Sequence, residues 1–266
     1  MSPGSTASTV DVGRRDPAYL AKVLPLLKVA MRGWFRSEVT GMERVPEGGA
    51  LMVSNHSGGL LAMDVPIIAV AFADEFGVER PLHVLAHDLL FTASGDPLFR
   101  RLGFLPADRE NADALLRSGS VTIVFPGGDY DVFRPTSRAA TVDFDGRTGY
   151  VRTAIRAGVP IVPVVSHGGQ EAQLFLSRGE AIGRLLRLDK VLRSPLFPIS
   201  FGFPFGLTGA LPVNLPLPTK IRTTVLDPIH PGDVGEDPAE IDALVRTRMQ
   251  EELDRLASER RFPVLG

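Results

Sequence analysis

Three short stretches of this 266-residue chain bring together residue types that can move a proton or hold a developing negative charge. The first is Ser54–Asp64, SNHSGGLLAMD, directly after the apolar run Ala50–Val53. Imidazole is the side chain best able to take a proton near neutral pH, and it needs a partner to set its tautomer and favour its charged form. His56 is the candidate base, and Asp64, eight residues on, is the nearest acid, with Asp88 and Asp129 as alternatives. Each has a plain structural reading as well. A loop histidine often bonds to backbone, and Asp64 ahead of Pro66 fits a helix N-cap with proline in the first turn. Capping and orienting are compatible, because a carboxylate has two oxygens.

The second stretch, Gly103–Asn111 (GFLPADREN), leads a short strand through Asp108 and Arg109 into a helix. A helix start favours anions, so an arginine there is poorly placed for the dipole and suits holding an anionic group. The alternative is a surface ion pair with Glu110 or Asp113. The third stretch, Val124–Pro135 (VFPGGDYDVFRP), again follows a strand. Gly127 and Gly128 allow close backbone approach and can aim N–H groups at an oxyanion, although a glycine pair in a tight turn needs no such function.

The elements that must carry these loops alternate. Strands are expected at Ala50–Ser54, Leu82–Ala86, Gly103–Pro106, Val121–Phe125, Pro160–Val165 and Ile221–Leu226. Helices are expected at Val65–Phe76, Asn111–Arg117, Thr148–Ala157 and Pro238–Arg261. The last carries Ile241, Leu244, Val245, Met249, Leu253 and Leu256 on one face. This is an α/β pattern: a mixed, mainly parallel central sheet flanked by helices, with ligands expected beyond the carboxyl ends of the strands.

Residues 1–16 read as a disordered tail without the basic start and apolar run of a signal peptide, so the chain is expected to begin where it is written. Residues 17–37 read as an N-terminal amphipathic helix, in which Leu20, Val23, Leu24, Leu27, Met31, Trp34 and Phe35 recur at three- and four-residue steps beside the row Lys28, Arg32 and Arg36. Such a helix suits either a membrane interface or the core, and Pro25 suggests a kink or restart. Residues 38–266 read as one domain. The charge-free stretch 194–219 holds six prolines, too many for a spanning helix.

Composition excludes several chemistries. With no cysteine there is no disulfide, thiol nucleophile or Cys-ligated metal centre. The five histidines show no H-x3-H or H-E-x-x-H spacing, so no metal is expected. A net charge of −2 gives no reason to expect nucleic acid. That charge averages over segregated regions: Arg14–Arg36 carries six basic residues against one acid, and Asp227–Arg261 carries ten acids against five arginines. A basic N-terminal face fits anionic lipid.

Taken in order, the blocks Asn55-His56 with Asp64, Gly103 to Arg109, Phe125-Pro126-Gly127-Gly128 and Val159 to Val164 resemble the glycerolipid acyltransferase family, which acylates lysophosphatidic acid and related lysophospholipids. The resemblance spans residues 41–165. It departs at two places: the family's His-x4-Asp becomes a longer spacing, with Leu61 where the acid would fall, and the glutamate of Phe-Pro-Glu-Gly is Gly127, as in a diacylglycerol acyltransferase-like branch. The resemblance implies direct acyl transfer from a thioester, acyl-CoA or acyl carrier protein, to a glycerolipid hydroxyl without a covalent enzyme intermediate or further cofactor. In that reading His56 is the base and Asp64 holds it. Asn55, Arg109, Gly127, Gly128 and Arg134 bind substrate, with Arg138 in support. It also implies a cytoplasmic protein, peripheral on the membrane. The competing readings are a lipid esterase, which Ser166-His167-Gly168-Gly169 resembles in part but for which no G-x-S-x-G exists, and a non-catalytic lipid-binding module.

Overall fold

Successive residues of the central strands are apolar on both sides, which commits them to a sheet covered on both faces. The computed structural model describes residues 14–266 except 57, 60–61, 92–95, 189–195 and 236, and leaves the side chains of Asp88, Leu89 and Asp96 undescribed. The tail expected at 1–16 therefore lies almost wholly outside the described residues.

The strands in chain order are β1 (Glu38–Thr40), β2 (Ala50–Ser54), β3 (Leu82–Ala86), β4 (Phe104–Pro106), β5 (Val121–Val124), β6 (Ile161–His167), β7 (Leu174–Ser177), β8 (Ile199–Gly202), β9 (Gly206–Gly209) and β10 (Arg222–Val225). Seven form the main sheet in the order β1-β10-β6-β2-β5-β3-β4. From β6 to β4 every pairing is parallel, while β10 joins β6 antiparallel and β1 lies parallel to β10. This is the mixed, mainly parallel sheet expected from the sequence. Strands β7, β8 and β9 form a separate antiparallel sheet, of which β8 and β9 lie in the proline-rich stretch 194–219 that masks strand periodicity.

Alternation along each strand divides the core in two. Leu51 and Val53 of β2 and Ile161 and Val165 of β6 face helix α6 (Gly149–Ala157) and the C-terminal helix Pro238–Ser258, whose Ile241, Val245, Met249, Leu253 and Leu256 are buried against them. Ala50, Met52, Val162 and Val164 face Ile68 and Phe72 of α2 (Asp64–Phe76). The C-terminal helix stops at Ser258, three residues short of the expected end.

The N-terminal helix α1 (Pro17–Val29) runs through Pro25 without restarting, and the backbone widens only beyond it, into a π-turn at Ala30–Trp34. Its apolar side chains are divided between core and solvent. Leu24, Leu27, Met31 and Phe35 pack with Ile67 and Val70 of α2, while Leu26, Val29 and Trp34 are exposed. The basic row is not a free face: Lys28 and Arg32 both pair with Asp74, and Arg36 donates to the carbonyls of Pro218, Val264 and Leu265. The remaining helices are α3 (Asp96–Arg101), α4 (Arg109–Arg117), α5 (Gly128–Val132) and α7 (Glu180–Leu185), besides the short turn Pro231–Val234.

Candidate active site

Because β2, β4, β5 and β6 run parallel, the loops that follow them all emerge at one end of the sheet. His56 leaves β2, Arg109 follows β4, the Gly127–Arg134 segment follows β5, and Gln170 follows β6. The sheet order sets their spacing: β5 and β6 flank β2, whereas β4 lies three strands away, about 14 Å across the sheet.

The Nδ1 of His56 lies 2.7 Å from the Oδ2 of Asp64, and the Asp64 side chain is fully buried while His56 keeps 15% exposure. A carboxylate only accepts, so Nδ1–H donates and Nε2, on the opposite edge of the ring, carries the lone pair. Asp64 is not the N-cap of α2, a position held by Met63; it is the first helical residue, with its carboxylate turned to the histidine. Phe125 stacks on the imidazole at 4.1 Å between ring centroids. Burial alone would lower the His56 pKa, but Asp64, through charge and hydrogen bond, and then Asp131 outweigh it, and the net shift is upward.

Asp131 is the residue sequence reasoning missed; Asp129 was named instead. The Oδ2 of Asp131 accepts the backbone N–H of His56 at 2.6 Å, pinning the loop from behind, and its other oxygen accepts from Arg134. Burial raises the Asp131 pKa against the pull of Arg134. Asp129 instead meets Arg147 at 3.2 Å. The alternation Asp-Tyr-Asp was the available signal, since only one of the two acids in such a short helix can face inward. The side chain of Asp88 lies outside the described part.

Other expected binding residues are turned to internal tasks. Asn55 donates from Nδ2 to the Ser166 carbonyl and accepts from the Ser166 N–H at Oδ1, both at 2.8 Å, so it braces the ends of β2 and β6 rather than presenting its amide to a substrate. Arg134 is 1% exposed and spends its charge on Asp131, which removes it as a surface anion site. The Gly128 N–H closes a turn on the Phe125 carbonyl at 3.0 Å, so the two glycines do not form a pair of free donors. Gly127 packs tightly, since a Cβ there would collide with Asp131. Arg109 and Arg138 are exposed, and Arg109 opens α4 directly after the N-cap Asp108.

Gly58 is equally constrained. A Cβ at this position would collide with Oε1 of Gln170 and approach Phe175 to 2.9 Å, so β7 closes directly over the histidine loop. Gln170 also donates to the Asp131 carbonyl at 2.9 Å, coupling the loops after β5 and β6. A serine nucleophile at Ser166 has no support: its hydroxyl meets Thr223 at 2.8 Å, and His167, its neighbour on one strand, points to the opposite face.

Fold and site together define an α/β protein with a buried histidine–aspartate pair at the carboxyl end of a parallel sheet. A family model described as Acyltransferase matches residues 36–167, which contain that pair and the loop after β5. An uncharacterized protein of Mycobacterium tuberculosis is 34% identical over 97% of this chain and 72% of its own length. The mouse protein named DGAT1/2-independent enzyme synthesizing storage lipids is 29% identical over 73% of this chain and 56% of its own. Among solved structures, the 1-acyl-sn-glycerophosphate acyltransferase of Thermotoga maritima shares the fold, with a TM-score of 0.56 and 20% identity over 89% of this chain and 79% of that one. The chain belongs to the glycerolipid acyltransferase family that its four sequence blocks resemble, and it is an O-acyltransferase.

Proposed function

We propose that this acyltransferase moves a fatty acyl group from acyl-CoA, or from acyl carrier protein, directly to a glycerolipid hydroxyl, with His56 as general base. The observation that carries the reading is the 2.7 Å contact of His56 Nδ1 with buried Asp64, which leaves Nε2 to take the hydroxyl proton. As the hydroxyl oxygen bonds to the thioester carbonyl, its proton passes to Nε2, and Asp64 stabilises the imidazolium that forms; when the tetrahedral intermediate collapses and the carbon–sulfur bond breaks, the imidazolium returns that proton to the departing thiolate. With the Gly128 N–H engaged by the Phe125 carbonyl, the Gly127 N–H is the proposed oxyanion donor, in a reaction without covalent intermediate or cofactor.

Two observations bear on the acceptor. The Pro-Gly-Gly loop and the storage-lipid relatives favour monoacylglycerol or diacylglycerol. The exposed Arg109, at the same end of the sheet but about 14 Å from β2, suits a phosphate-bearing headgroup. Such acceptors imply a protein peripheral on the cytoplasmic side of a membrane, and no helix among the described residues is long and apolar enough to cross one.

The test is mass spectrometry of products formed from palmitoyl-CoA with lysophosphatidate, monoacylglycerol and diacylglycerol. His56→Ala is expected to lower transfer about 10²- to 10⁴-fold, and Arg109→Ala to raise KM for the phosphate-bearing acceptor alone. Unchanged transfer by His56→Ala would sink the mechanism.

A further inference from the structure

An antiparallel sheet with one face on the protein normally turns polar side chains outward. The small sheet β7-β8-β9 does the reverse. Its cross-strand row Phe175, Ser200 and Thr208 faces inward, where Ser200 and Thr208 share a 2.8 Å hydrogen bond and Gln173 donates to Ser200. The next row, Leu174, Phe201 and Leu207, faces solvent, and Phe203 and Phe205 at the β8–β9 turn are 70% and 64% exposed.

This apolar face is continuous with the N-terminal helix. The N–H of exposed Leu215 donates to the Phe203 carbonyl at 2.8 Å, and the indole N–H of Trp34, the chain's one tryptophan, donates to the neighbouring Pro216 carbonyl at 3.1 Å. Leu26 and Val29 of α1, the helix that leads to Trp34, are exposed as well. No charged residue occurs from 194 to 219, while exposed Arg184 and Arg187 flank exposed Leu185 and Leu186 at the end of α7, directly after β7.

We infer that the outer face of β7-β8-β9 is a bilayer-docking plate, which inserts Leu174, Phe201, Phe203, Phe205 and Leu207 among the acyl chains of an anionic membrane. The polarity inversion gives the reason: outward leucine and phenylalanine gain only when the solvent outside is hydrocarbon. Arg184 and Arg187 meet lipid phosphates at its edge, and Trp34 sits where an indole prefers to lie, at the boundary of water and hydrocarbon. The inner residue Phe175 packs over Gly58, so docking brings the membrane to the loop that carries His56. The plate gives the lipid acceptor of the proposed function its route and rests on that reading for its purpose, but binding is measured without turnover.

The experiment is sedimentation of the full chain with vesicles of phosphatidylcholine and phosphatidylglycerol in equal parts. The double variant Phe205→Ser/Leu207→Ser, which changes only exposed side chains, is expected to lose at least about tenfold in partitioning with an unaltered thermal unfolding midpoint. In a Trp34→Phe background, Phe205→Trp is expected to shift its emission to the blue on vesicles and to be quenched by lipids brominated in the chains. Wild-type partitioning by the double variant, or an unquenched indole at 205, overturns the inference. So does a dimer that the double variant dissolves while vesicle binding persists, since the face would then join two copies. Vesicle binding without any acylated product leaves the plate standing and removes the proposed reaction instead.

Discussion

His56 is held on three sides: its Nδ1–H by Asp64, its backbone N–H by Asp131, and one ring face by Phe125. The fourth direction, toward Nε2, is where chemistry is left to occur. A general base works in its neutral form, so acid inactivates it, and a pKa raised above 6.5 moves that loss to higher pH than for an ordinary histidine. Replacing Asp131 alone would strand the buried charge of Arg134, whereas Asp131→Asn/Arg134→Gln removes both. Of these two residues Asp131 has the larger influence on the imidazole, and it raises the pKa. The acid limb of the kcat/KM profile is therefore expected to move to lower pH in the double variant, and a pH–rate profile with the limb unmoved or higher would contradict the electrostatic role. Asp64→Asn, which cannot stabilise the imidazolium, is expected to reduce kcat at least about a hundredfold, as read by steady-state kinetics.

At the scale of elements, the site depends on strand ends being fastened together. Asn55 replaces a rung of the β2–β6 ladder at the point where the two strands diverge into loops, with both of its polar ends on Ser166. Asn55→Ala leaves a buried N–H and a buried carbonyl unpaired, each costing about 1–3 kcal/mol. A loss of about 2–6 kcal/mol in urea unfolding is expected, and a loss below about 0.5 kcal/mol would show that water replaces the side chain without cost. The contact between β7 and the loop behind His56 has the same fastening role, which is why Gly58 tolerates no side chain.

For the whole molecule, acid stability follows from a buried group far from the chemistry. His83 of β3 is 2% exposed, its ring nitrogens have no hydrogen-bond partner among the described residues, and burial, reinforced by Arg15, lowers its pKa from 6.5 to about 4. Between those values the unfolded chain takes up a proton that the folded one does not, so stability is present above 6.5 and is lost as pH falls toward 4. The loss is on the order of 3 kcal/mol. His56 works in the opposite sense, since its raised pKa adds stability below 6.5 that disappears as pH rises through the folded value. Comparing wild type with His83→Leu by denaturant unfolding at pH 7 and pH 4.5 isolates His83: the variant is expected to lose less stability on acidification, and parallel losses would refute the assignment.

What the sequence determined by itself is what depends on neighbours along the chain. Apolar runs with glycine or proline at one or both ends marked β2, β3, β5 and β6, helical periodicity marked α2, α4 and the C-terminal helix, and the loop residues at strand ends pointed to His56 and to a family. Only the tertiary structure decided how distant groups meet. It gave His56 its second carboxylate, Asp131, 75 residues away, and turned Asn55 and Arg134 inward. It also paired Leu174–Ser177 with two strands of the Pro- and Phe-containing segment 194–219 into a sheet with its apolar side outward. The physical reason is that whether a polar side chain faces solvent, substrate or a buried partner depends on which strands pack beside it, and that choice is made across the sheet rather than along the chain.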